Sequence, residues 1–207
     1  YKENLTNSMI IELADIQDYS LINELCRDDG FVQSWLAYQE GNYPLSTKLA
    51  RDAMDKLSKK PDRLDLRWRL LYPVHYYDEI KSNAFSYGNN PILILSVIKE
   101  ESHFNSDVVS PAGAIGLMQL MPGTAEEISR KYGVILPNPS LLTNPAINIK
   151  IGNIYYSKLK SQLQYNDVLA VLGYNSGLYS VLRWEKSLNN EDIDDFVEQI
   201  PYSETQT

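Results

Sequence analysis

A chain of 207 residues is long enough to bury a substantial core and to hold one domain or one and a half. Hydrophobic and aromatic contents of 43% and 11% exclude an intrinsically disordered chain. A net charge of −8 argues against a surface for nucleic acid or anionic membrane, which needs clustered Lys and Arg.

Cys26 is alone, so no disulfide can form within the chain. With one cysteine and two histidines there is no metal-binding signature, and neither a metal nor a cofactor is expected. Glu100, Glu101, His103 and Asp107 could be imagined as ligands, but Glu100 and Glu101 diverge in helical phase. The longest apolar run, Ile92 to Ile98, is too short to cross a membrane, so no transmembrane segment is expected. No secretory signal peptide is expected at the start of the chain.

Residues 1–88 read as amphipathic helices over 6–27, 31–40, 45–58, 62–71 and 73–87, with Gly30, Gly41, Pro44, Pro61 and Pro73 as punctuation. The pair around Trp35 and Tyr38, then Leu49 and Met54, has the spacing of an α-superhelical repeat. Asn90 and Pro91 open a helix that should end near Ser102. Thr124 with Glu127 suggests a capping box, and that helix stops at Gly133. Asn144-Pro145 opens a long helix whose apolar side includes Ile147, Ile151, Ile154 and Leu159. Asp167 can cap a helix through Val171, and Tyr179 to Trp184 lies in another. Few segments alternate with period two, so the fold class is all-α.

Glu101 falls within the stripe of Ile94, Val97 and Ile98, whereas Glu100 points away from it. A charged acid on an apolar face costs several kcal/mol, so it finds a partner or keeps its proton. A proton held near neutral pH is what a general acid needs. The competing reading is a carboxylate tied up structurally by Arg or by backbone N–H groups.

The run Glu101-Ser102-His103-Phe104-Asn105, then Ser110-Pro111-Ala112-Gly113-Ala114-Ile115-Gly116-Leu117-Met118-Gln119-Leu120-Met121-Pro122-Gly123-Thr124, resembles the soluble lytic murein transglycosylases. Gly173-Tyr174-Asn175-Ser176-Gly177 is similar to a second block of that family, and Phe196 to Thr205 to its C-terminal block. The four blocks lie in order between residues 91 and 205. The resemblance implies a lysozyme-like catalytic domain over 89–207, preceded by a helical superhelix or linker segment over 1–88.

It also implies a chemistry. Glycoside cleavage ordinarily uses two carboxylates, and no second one is obvious here. In the family the glutamate matching Glu101 protonates the glycosidic oxygen between N-acetylmuramic acid and N-acetylglucosamine. It then helps the muramyl C6 hydroxyl attack C1, leaving a 1,6-anhydromuramyl end. Such a dual role needs a pKa raised toward roughly 6 by apolar surroundings.

By the same resemblance Ser110 and Gln119 line the muramyl site, and Met118 and Met121 are apolar walls. Thr124 is a rim contact or a cap, Tyr174 lies near the acid, Asn175 positions substrate and Glu198 contacts saccharide. Tyr155 and Tyr156 could stack on sugar rings or belong to the core. The expected partner is the glycan strand of peptidoglycan, bound by a monomer. Because murein lies outside the cytoplasm, a periplasmic or otherwise extracytoplasmic location follows, with a signal or anchor removed upstream. A hydrolytic lysozyme of the same fold, or a non-catalytic peptidoglycan-binding module, stays open on sequence alone.

Overall fold

The computed structural model describes residues 11–188 and 193–200, so the start of the expected 6–27 helix and the stretch 201–205 lie outside the described residues. The described chain is helical, as expected; its extended pairing is confined to two antiparallel bridges, Val109 with Ile115 and Ile115 with Leu120. Contacts divide it into two units. One holds the residues up to His75 with Lys99–Ser106; the other holds Tyr76–Ile98 with Asp107 onward.

The N-terminal unit begins with a helical stretch over 11–15, then α1 (Tyr19–Leu25), α2 (Gly30–Gln39), α3 (Tyr43–Asp55) and the single turn α4 (Trp68–Leu71). Asp29 caps α2 by accepting from the Phe31 and Val32 amides, and Asn42 caps α3 by accepting from Leu45. Leu13, Ile22 and Leu36 form its apolar centre, flanked by Tyr19 edge-on to Trp35 with ring centroids 5.8 Å apart. Between α2 and α3 the buried Ser34 hydroxyl donates to the Ser46 carbonyl at 2.8 Å.

Three expected helices of this region differ from those observed. The 6–27 helix breaks at Gln17, whose φ is 58°, because Asp18 caps a fresh helix by accepting from the Leu21 amide. Over 62–71 only one turn forms. Asp65 takes the Arg67 amide and both arms of its guanidinium, a local arrangement that competes with helix. The 73–87 helix starts at Tyr77, after Tyr76 in a left-handed conformation with φ 56°.

The second unit contains α5 (Tyr77–Ser86), most of α6 (Pro91–Ser102), α7 (Pro122–Tyr132), a 3-10 turn at Pro139–Thr143, α8 (Pro145–Gln162), α9 (Asp167–Ser176), α10 (Leu178–Leu188) and α11 (Ile193–Gln199). Helix α8 is its centre: Ile149, Ile151, Gly152, Ile154, Tyr156 and Leu159 are all buried. A helix buried on most sides needs polar residues there to be satisfied, and Asn153 donates to the Ile149 carbonyl while accepting from Asn89 at 3.1 Å. Leu163, at the end of α8, forms a second apolar cluster with Leu169, Val181, Trp184, Phe196 and Ile200 along α9, α10 and the α11 segment.

Two expected caps are replaced by neighbours. Helix α7 begins at Pro122 with Met121 in the cap position and no side-chain cap, so Thr124 lies inside the first turn and no capping box forms. Glu127 pairs with Lys158 on α8 at 2.7 Å instead. Asn166, not Asp167, caps α9 by accepting from Val168 and Leu169, and that helix runs on to Ser176.

Candidate active site

Helix α6 is started by Asn90, whose side chain accepts from the Ile92 amide at 2.9 Å, and by Pro91 with its pre-set φ. Its apolar stripe is buried at Ile94, Val97 and Ile98. One turn on, Glu101 is half-buried, whereas the Glu100 side chain is 73% exposed and paired with Lys99 at 2.6 Å. Burial, with a smaller push from the Glu100 charge, raises the Glu101 pKa to about 6. Glu100 moves the other way, held low chiefly by its hydrogen bond from Lys99. One carboxyl of the pair is therefore a proton reservoir near neutrality, and its neighbour is an ordinary surface anion.

Beyond α6 the chain turns through His103 and Phe104, both left-handed with φ 49° and 63°. Such a pair of non-glycine residues is costly, and the buried Phe104 ring, 2% exposed, anchors it.

In the second unit, residues 108–120 form a knot of tight turns. The Ser110 hydroxyl accepts from the Ala114 amide at 3.0 Å, Gly116 N–H donates to Val108 carbonyl, and Ile115 and Leu120 exchange both amide hydrogen bonds. Gln119 has φ 45°, and its side-chain amide donates to the Gly116 carbonyl at 2.9 Å and the Val108 carbonyl at 3.3 Å. Its side-chain oxygen is thereby turned to a fixed direction. Among the described residues no cluster of His, Cys, Asp and Glu could hold a metal ion.

Asn148 of α8 is fully buried and clamps this knot. Its oxygen accepts from the Met118 amide at 2.8 Å, and its nitrogen donates to the Leu142 and Ile115 carbonyls at 2.8 and 3.0 Å. Gly116, with φ 78°, lies so close to that amide and to the Leu142 carbonyl that a Cβ would collide with both. The Tyr174 hydroxyl on α9 donates to the Met118 carbonyl at 2.6 Å, and its ring sits 5.3 Å from that of Tyr155.

The structure thus brings Met118, Tyr155 and Tyr174 together and places Ser110 and Gln119 in the same knot. Met118, expected as an apolar wall, is 0% exposed; it is a core residue because α8 opens a space for it at Gly152. Met121 is 45% exposed, Thr124 is partly exposed, and Asn175 and Glu198 are exposed on α9 and α11. The sequence reading missed Asn148. The signal was available: a polar residue between Ile147 and Ile149 on a buried helix, the same anomaly that marked Glu101.

Residues 78–197 match the Transglycosylase SLT domain family, and the chain belongs to that family. It is 34% identical over 136 residues to the soluble lytic murein transglycosylase of Escherichia coli strain K12, covering 65% of this chain and 21% of that protein. To the soluble lytic murein transglycosylase of Salmonella typhimurium it is 35% identical over 148 residues, covering 70% and 22%. Among solved structures, an inactive glutamate-to-glutamine variant of the lytic transglycosylase Slt of Pseudomonas aeruginosa superposes with a TM-score of 0.75 at 35% identity, over 86% of this chain and 28% of that one. The 70 kDa soluble lytic transglycosylase of Escherichia coli superposes with a TM-score of 0.73 at 26% identity, over 97% and 32%. The chain therefore spans about a fifth to a third of the length of these relatives.

Proposed function

We propose that this chain carries the catalytic part of a peptidoglycan lytic transglycosylase, with residues 89–207 as the catalytic domain and 1–88 as a helical scaffold. It cleaves the β-1,4 bond between N-acetylmuramic acid and N-acetylglucosamine without water and leaves 1,6-anhydromuramyl ends. The observation that carries the reading is Glu101, a half-buried carboxyl raised to about 6 beside a Glu100 that is not. Membership in the SLT family and the inactivity of the Pseudomonas glutamate-to-glutamine variant support it.

Glu101 in its protonated form donates to the glycosidic oxygen as the bond to C1 breaks. The resulting carboxylate takes the proton of the muramyl C6 hydroxyl as that oxygen attacks C1, so the proton count closes with one residue as acid and then base. An acid poised near neutral pH serves both halves; one at its ordinary value would be ionised before the first. Tyr174, Asn175, Ser110, Gln119, Met121, Thr124, Tyr155 and Glu198 are the residues that contact or orient saccharide. Met118 contributes through its main-chain carbonyl, which fixes the Tyr174 hydroxyl. The substrate is the glycan strand of peptidoglycan, the location extracytoplasmic, the working form a monomer, and no cofactor takes part.

Mass spectrometry of murein digested with this protein tests the reading. Anhydromuramyl ends, lighter by one water than reducing ends, are expected, and digestion in ¹⁸O-labelled water should leave them unlabelled. Labelled reducing ends would make the protein a hydrolytic lysozyme, and no soluble product at all would make it a binding module.

A further inference from the structure

Four ionisable side chains of the N-terminal unit gather around the end of α6. Arg51 is exposed on α3, and its Nη2 lies 3.5 Å from His103 Nε2. Lys99 is paired with Glu100 at 2.6 Å and lies over the Tyr72 ring, 5.0 Å from its centroid. The acid of the group is thus ion-paired to Lys99, with Arg51 and His103 adding weaker charge interactions. Among the described residues no carboxylate comes within ion-pair distance of Arg51, although Lys60, Arg67, Lys99, Lys158 and Lys160 each have one.

His103 explains where the guanidinium points. Burial, then the Arg51 and Lys99 charges, against a smaller opposing push from Glu100, lowers its pKa, which favours the neutral ring whose Nε2 can accept from the guanidinium. The left-handed backbone at His103 and Phe104, anchored by the buried Phe104 ring, fixes the ring opposite α3. A guanidinium oriented by a neutral acceptor keeps its full charge and its remaining N–H donors for something else. His103 is two residues from Glu101 in the same unit. The chemistry next to the scissile bond supplies a matching group: the muramyl unit alone bears a lactyl side arm, which ends in a carboxylate or in a stem peptide that carries carboxylates.

We infer that Arg51, oriented by His103, binds a carboxylate of the murein strand, so that the N-terminal helical unit sets a preference for anionic over neutral glycan. This rests on the transglycosylase reading. Arg51 is a specificity residue, matching a planar carboxylate with paired N–H donors, and His103 is its positioning residue. The carboxylate comes from the stem peptide, or from the free lactyl arm of strands that have lost it.

The test is calorimetric titration of three soluble murein tetrasaccharides into Glu101→Gln protein, with and without Arg51→Gln or His103→Asn. One fragment carries stem peptides, one has them removed to free the lactyl carboxylate, and one carries peptides with every carboxylate converted to an amide. Arg51→Gln should weaken binding of the peptide-bearing fragment about tenfold and leave the amidated fragment unchanged, as expected for loss of a charge-assisted pair. His103→Asn tolerates the left-handed backbone and should reproduce a smaller part of the same difference. Persistence of the effect on the peptide-free fragment assigns the lactyl arm, and its loss there assigns the peptide. Equal weakening of native and amidated fragments, no weakening of either, or no measurable binding would overturn the inference. The transglycosylase reading fails separately, by the absence of anhydromuramyl products when the protein with Glu101 intact meets the peptide-bearing fragment.

Discussion

The hydroxyl of Tyr174 on α9 donates a 2.6 Å hydrogen bond to the main-chain carbonyl of Met118, 56 residues earlier in the chain. The bond ties the helix carrying Tyr174-Asn175 to the Gly-Leu-Met-Gln knot, and it commits the phenol hydrogen to the Met118 carbonyl. Tyr174→Phe should lower turnover by roughly 10- to 1000-fold through loss of a positioned polar contact. Stability should fall by about 1 kcal/mol in urea titration, because the Met118 carbonyl loses this donor. Full activity with the expected stability loss would make Tyr174 a brace and nothing more.

Gly116 and Gly113 separate collision from conformational strain within one knot. Both have positive φ, 78° and 88°, yet a Cβ at Gly113 meets open space while one at Gly116 strikes Asn148 and the Leu142 carbonyl. Gly113→Ala should cost about 1 kcal/mol, the strain alone. Gly116→Ala should cost about 3 kcal/mol or more, since the neighbours are backbone and a triply bonded amide that cannot retreat. Equal losses in paired thermal melts would show that the knot yields easily.

What was legible in the sequence follows from how local the cause is. Glu101 and Glu100 were distinguishable because helical phase is a property of neighbours, and their opposite environments are those the phase demanded. Gly133, left-handed with φ 69°, ends α7 for the same kind of reason. The boundary at Gln17 and Asp18 was missed because an amphipathic pattern runs through a cap without changing phase. Thr124 had the letters of a capping box, but Pro122 started the helix two residues earlier and Lys158, far along the chain, took Glu127. Met118 and Arg51 could not be placed from spacing at all: one depends on a space opened by Gly152, the other on His103 meeting α3.

Asn148 makes three hydrogen bonds and is wholly buried, so each of its two polar atoms is committed. Asn148→Asp keeps the acceptor for the Met118 amide but loses both donors and brings a carboxylate against two carbonyl oxygens. A loss of about 3 kcal/mol or more is expected at neutral pH. Because the buried acid would be pushed to hold its proton, the deficit should shrink as pH falls below its raised pKa. Chemical denaturation at pH 4 and pH 7 reads this; a deficit independent of pH would mean that the side chain reaches solvent.

Glu101 should show its cost in the folding equilibrium as well as its use in catalysis. Its pKa is raised from an ordinary 4.5 to about 6, mainly by burial. Between those values the folded protein holds a proton that the unfolded chain has released, so this residue's contribution to stability falls as pH rises through the window and is lowest above pH 6. Glu101→Gln fills nearly the same volume without the charge, so the variant should be at least as stable as the parent at pH 7 and should lack the parent's decline between about pH 4.5 and 6. The same variant should release no anhydromuramyl product, because an amide cannot donate and retrieve a proton. Glu100→Gln is the control: its carboxylate is exposed and held low by Lys99, so it should leave turnover nearly intact. Urea midpoints across pH 4 to 7, read beside product analysis for both variants, decide the matter. An active Glu101→Gln protein, or one less stable than the parent at pH 7, would show that this carboxyl is a structural anion and that the acid lies elsewhere.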